Sequence, residues 1–141
     1  MLKIYFTKGE NMLDKKVRII NEKLQESDLN EIDLIDTPDN FFEEINAVDI
    51  LEQSKNESIL SLLCSKTAIG GKLIINGTDA LQLCGRVFYG RMPLKDACEY
   101  IRKMHQFNSF MGVLEYLMDN KWKINFSGVK ECRYIIEAIK Q

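Results

Sequence analysis

His105 follows Asp96 and Glu99 in a stretch of helical periodicity, a spacing that sets an acid beside an imidazole, as a general base requires. A lone helical histidine serves equally well as a surface residue, so both readings stay open. Arg86, Arg91, Lys95, Arg102 and Lys103 form a basic zone in the same part of the chain. It suits a phosphate or sugar-phosphate, or simply a solvated helix face. Cys64, Cys84, Cys98 and Cys132 lie apart in apolar surroundings, with no CxxC pair and one histidine in the chain. They read as four buried, reduced thiols rather than a metal set, which suits a reducing compartment. No G-x-S-x-G elbow, P-loop, HExxH or EF-hand spacing occurs, so hydrolase, nucleoside triphosphatase and metalloenzyme readings have no foothold.

These residues need a scaffold. The chain has 141 residues, 45% hydrophobic and 28% charged, which fits one domain over residues 1–141 with a real core. Nineteen basic and twenty-one acidic side chains leave a net charge of −2, so no global field draws nucleic acid or an anionic membrane. Charges at Lys3, Lys8, Glu10 and Asp14 interrupt every apolar run near the start, and no run approaches the roughly 20 residues of a membrane span. The expectation is a soluble, unprocessed, cytoplasmic protein.

Alternation and β-branched content predict strands over residues 2–6 and 17–20, and a short strand or extended connection over 31–36. Ile45, Ala47, Val48, Ile50 and Leu51 form a nearly continuous apolar run, as in a strand covered on both faces. Ser54 and Asn56 can cap the following helix, which Gly70 and Gly71 end before a strand over 72–76. Strand, helix, glycine pair and strand make a βαβ unit. Helices follow over 79–89, with Ala80, Leu81, Leu83, Cys84, Val87 and Phe88 inward, then over 94–104 after Pro93, and over 110–118 after Ser109. Two alternating strands, 122–126 and 133–139, then form a hairpin around Ser127 and Gly128. Ile50, Leu63, Ile74, Val113, Leu117 and Ile136 are the expected core.

Ile50, Leu51, Glu52 and Gln53, then a helix, then Gly70, Gly71, Lys72, Leu73, Ile74 and Ile75, then Asp79, make an ordered set within residues 41–79. It resembles the core of small class I S-adenosylmethionine-dependent methyltransferases. Residues 114–140 are similar to that family's final helix and hairpin, with Lys121 and Trp122 where the family usually has Gly-Phe. The resemblance implies an α/β, Rossmann-like methyltransferase fold, with a mainly parallel sheet, helices on both faces and a C-terminal antiparallel hairpin. It implies S-adenosylmethionine as cofactor and methyl transfer to an unidentified small-molecule or macromolecular acceptor. The alternative is a catalytically inactive fold of the same kind, serving as a binding or structural module. A homo-oligomer or a protein partner is compatible with either, while neither a membrane nor a strong nucleic-acid signal enters.

The resemblance also implies particular residues. In the family a glycine loop ends the first strand, because a side chain there would collide with the methionine part of the cofactor. Thr7, Lys8 and Gly9 fill that place here, leaving Gly9, Glu10 and Asn11 as loop contacts and bringing Lys8 toward a cationic sulfonium. An acid after the next strand would accept from both ribose hydroxyls; Glu22 could do so, whereas Asn21 offers a carbonyl oxygen alone. Asp33 or Asp36 stands near the adenine position, and Asp49 takes the place of a polar residue lining the pocket. Phe88, Tyr89, Tyr100, Phe107 and Phe110 would lie where the family builds its acceptor lid, though core packing accounts for them too. Read without the resemblance, these acids are solvated or capping groups. The sulfonium is already activated, so the lack of an obvious catalytic base says little.

Overall fold

The computed structural model describes the backbone of residues 3–6 and 16–20 and the whole of residues 35–141. Strands β1 (Lys3–Phe6), β2 (Lys16–Ile20), β3 (Phe42–Val48), β4 (Thr67–Thr78), β5 (Lys123–Lys130) and β6 (Arg133–Ile139) form one sheet in the order β1-β2-β3-β4-β6-β5. The helices are α1 (Ile50–Gln53), α2 (Ile59–Lys66), α3 (Ala80–Phe88), α4 (Leu94–Arg102) and α5 (Phe110–Asp119). The chain is thus α/β, but the sheet is mixed rather than mainly parallel. Among the described strands, only β2 with β3 and β3 with β4 run parallel. The edge strand β1 pairs antiparallel with β2, and the terminal hairpin places β6 antiparallel beside β4 with β5 outside it.

Alternation sets the burial. Ile45 and Ala47 of β3, Leu73 and Ile75 of β4, and Tyr134, Ile136 and Ala138 of β6 point to one face and are buried. Ile50 and Leu51 of α1, Ile59 and Leu63 of α2, and Val113 and Leu117 of α5 join them in one cluster with Phe42 and Trp122. Ile74 stands on the opposite side of the pleat and is half-buried, because its neighbours Leu73 and Ile75 claim the core face. The other core expectations, Ile50, Leu63, Val113, Leu117 and Ile136, are buried. Of the described helices, α1, α2 and α5 contribute to this cluster, while α3 and α4 meet in a separate, smaller one.

Several boundaries differ from expectation for local reasons. The apolar run over 45–51 does not stay extended: β3 stops at Val48, Asp49 adopts a left-handed conformation at φ 58°, and Ile50 starts α1. Gly70 and Gly71 do not precede a strand but lie inside β4, where Phe42 pairs with Thr67 and Glu44 already with Lys72. The extra residues bulge out, and glycine is needed there. Gly70 has φ 78°, and a Cβ on Gly71 would stand 2.7 Å from the Ala68 carbonyl oxygen and 2.9 Å from that of Glu43. Ser127 and Gly128 lie within β5, and the chain reverses after Lys130, with Glu131 at φ 59°. Ile35 and Asp36 are helical rather than extended.

Capping places the helices as their residues suggest. The Asp79 carboxylate accepts from the backbone N–H of Leu81 and Gln82 to start α3, and Ser109 Oγ accepts from Gly112 to start α5. α3 buries only Leu83, which packs with Ala97 and Cys132 in a small second cluster. Leu81, Cys84 and Phe88, expected inward, are exposed. All four cysteines are free, and of these Cys132 alone is buried.

Candidate functional site

The parallel strands β2, β3 and β4 end together, since Ile20 pairs with Val48 and Val48 with Asn76. In open α/β sheets ligands bind beyond such carboxyl ends. Here a cavity of about 150 Å³ is lined by Asp49, Glu52, Gln53, Thr78, Tyr100, Lys103, Met104 and Arg133. Asp49 reaches it because its backbone N–H, bonded to the Asn76 carbonyl at 2.9 Å, closes β3 while its left-handed φ turns the chain into α1. Aspartate tolerates that conformation better than most residues. Arg133 reaches it because β6 runs antiparallel to β4 and starts opposite Thr78. Its guanidinium donates to the Asp49 carboxylate and, at 3.2 Å, to Thr78 Oγ1.

Behind this ion pair lies Glu52, 2% exposed. Its Oε1 accepts from the Tyr134 hydroxyl at 2.9 Å, while Oε2 is buried with no hydrogen-bond partner among the described residues. Burial disfavours the carboxylate and pushes the Glu52 pKa up to about 7, with the Tyr134 hydrogen bond pulling the other way. Burial and the neighbouring Glu52 both raise the Tyr134 phenol above its ordinary range. Gly77 makes the room: a Cβ on it would stand 2.3 Å from Glu52 Oε1 and 2.7 Å from the Tyr134 oxygen. The loop after α4 closes the side. The backbone N–H groups of His105 and Gln106 donate to the Glu52 carbonyl at 2.7 and 3.0 Å, and Gln106 Nε2 donates to the carbonyls of Ser54 and Asn56.

Of the residues singled out in the sequence, Asp49 lines this cavity and Asp79 follows Thr78 at its rim, where its carboxylate is committed to capping α3 and to the Phe110 N–H at 3.3 Å. Asp36 is exposed and outside the lining. Gly9, Glu10, Asn11, Glu22 and Asp33 lie outside the described residues. β1, which Gly9 follows by three positions, ends at Phe6 beside Val17, at the end of the sheet away from Asp49. β2 ends on the cavity side at Ile20, two positions before Glu22.

The proposed His105 base is not assembled. α4 stops at Arg102, so the helical spacing from Asp96 and Glu99 is not continued to an exposed His105. Of the basic zone, Lys103 alone lines the cavity. The aromatics do not form one lid. Phe88, Tyr89 and Phe107 are 82%, 75% and 67% exposed, whereas Phe110 packs on Tyr134 with ring centroids 6.2 Å apart. No group of three or more metal-ligating side chains occurs among the described residues, and no described helix is long and apolar enough to cross a membrane.

Sequence reasoning missed the buried part of the site. Glu52 was noticed only as a piece of a family-like run, although an acid directly after Ile50 and Leu51 in an apolar stretch is itself a signal. Arg133, Tyr134 and Gly77 carried none before the strand order was known. Chemically the cavity combines two carboxylates, two cations and neutral hydrogen-bonding groups, an arrangement suited to holding a small polar molecule. No protein-family model matches the chain, and a search of curated proteins finds no match to it.

Proposed function

We propose that this chain is a catalytically inactive, methyltransferase-like module of Rossmann-like descent that keeps the cleft at the carboxyl end of its sheet as a small-molecule binding site. One observation carries the reading. The strand lying parallel beside β3 on the side away from β4 is β2, and the sequence from Asn21 to Ile69 contains no glycine. S-adenosylmethionine requires a glycine loop after that strand, because a Cβ there would occupy the space of its methionine part. Arg133 and Lys103 in the cleft add like charge against a sulfonium cation, which reinforces the reading.

Methyl transfer from S-adenosylmethionine is the second reading, and the carboxylates of Asp49 and Glu52 at the strand ends favour it. Calorimetric titration of the full chain with S-adenosylmethionine and S-adenosylhomocysteine separates the two. The module reading expects no heat from either ligand at millimolar concentration. Saturable binding of either would remove the ground of the reading, and methyl transfer from bound S-adenosylmethionine would restore the enzyme.

A further inference from the structure

The cleft holds charges of both signs that a single-signed ligand cannot satisfy together. Asp49 and Glu52 stand with Lys103 and Arg133 around about 150 Å³, and Gln53, Thr78 and the Tyr100 hydroxyl add neutral polar groups. An anion alone would leave the two carboxyl groups unserved, and a cation alone would meet Arg133 and Lys103. Independently, Glu52 Oε2 is an acceptor on a side chain 2% exposed, and no protein donor reaches it among the described residues. A buried acceptor of this kind is costly to leave unmade, so a donor from a ligand would be bound strongly there. Arg133 and Asp49 are partly exposed, and such a pair opens at small cost. The lining is apolar as well as polar, with Met104 and Tyr100 contributing, and its small volume is what excludes a large substituent.

We infer that the cleft binds a small zwitterion of the α-amino-acid type, with its carboxylate between Arg133 and Lys103 and its ammonium between Asp49 and Glu52. This rests on the binding-module reading above. With Glu52 ionised, above its pKa of about 7, the ammonium supplies the donor that Oε2 lacks, and the carboxylate replaces Asp49 as the partner of Arg133. A short polar side chain then meets Thr78 and Gln53.

The test is a titration of the isotopically labelled full chain at a pH above about 7, where Glu52 is ionised, followed by nuclear magnetic resonance, with L-homoserine, acetate and propylamine. L-homoserine should bind about tenfold or more tightly than either half-ligand, as two charge-assisted contacts require. Its shifts should centre on Asp49, Thr78 and Arg133. Asp49→Asn retains a residue that tolerates the left-handed turn. It should weaken L-homoserine by about tenfold while acetate binds no more weakly, since Arg133 is freed. A thermal melt of the variant confirms that it is folded. Acetate as tight as L-homoserine would reveal a plain anion site and overturn the inference, as would the absence of binding by all three probes. Either failure, with S-adenosylmethionine still giving no heat, leaves the module reading standing. Heat from S-adenosylmethionine removes that reading itself.

Discussion

Glu52 makes stability depend on pH in a direction opposite to most carboxylates. Its pKa rises from an ordinary 4.5 to about 7 because folding removes the side chain from water, so the folded state holds the proton more tightly than the unfolded chain does. Below 4.5 the group is neutral in both states and contributes nothing. As pH climbs toward about 7 the unfolded chain ionises while the folded one resists, and stability falls; above that the loss is complete. At about 1.4 kcal/mol for each tenfold in proton affinity, the whole loss is about 3 kcal/mol. Glu52→Gln isolates this contribution, since the amide oxygen can still accept from Tyr134 and the amide cannot ionise. Urea unfolding of parent and variant at steps from roughly pH 5 to 8 measures the difference, in which all other titrating groups cancel. The variant should gain on the parent by about 2.5 kcal/mol across that range. A difference that stays constant with pH would refute the burial argument for Glu52.

Four further substitutions probe the packing and capping around the site. Gly77→Ala drives a methyl into Glu52 and Tyr134 and should destabilise by about 1–3 kcal/mol in urea unfolding; a variant as stable as the parent would mean that the glutamate does not fill that space. Ile75→Ala should cost about 2–5 kcal/mol, and Ile74→Ala clearly less, because only Ile75 faces the close-packed side; the reverse order would place the core on the other face of β4. Asp79→Ala removes the cap of α3 and should cost about 1–2 kcal/mol, read from the shift in melting temperature, with no change expected if α3 is held by packing alone.

Much of the scaffold was legible because its signals are local. Asp79 and Ser109 announced their helices through side chains that satisfy the first free N–H groups, and Gly90, at φ 69°, closed α3. Alternation found β4 and β6. What failed was arithmetic that depends on partners. Ile50 and Leu51 continue an apolar run, and no periodicity distinguishes a longer strand from a turn into a helix when one residue, Asp49, makes the switch. Gly70 and Gly71 look like a turn because a bulge and a turn require the same residue; only the neighbouring Phe42 and Glu43 carbonyls decide between them. Leu81 and Phe88 fit an inward helical face, yet they are exposed, since the described part of the protein meets α3 on the side of Leu83, through Ala97 and Cys132.

The site was less legible than the fold because antiparallel insertion assembles it. Arg133 and Asp49 are 84 positions apart, and they meet only because β6 enters the sheet beside β4 in reverse, which brings its first residue against Thr78 at the carboxyl end of the parallel strands. Had the terminal hairpin paired in parallel, Arg133 would stand at the opposite end and Asp49 would lose its ion-pair partner, leaving Lys103 as the cation of the lining. The same reversal carries Tyr134 across from Gly77, so the hydroxyl that holds Glu52 arrives with the guanidinium that neutralises Asp49. Strand order, rather than any motif, therefore decides that Asp49 meets a guanidinium in this cleft. The alternation over residues 122–139 announces the antiparallel hairpin itself; its place beside β4, which brings Arg133 to Asp49, depends on a pairing between distant strands that no local pattern carries.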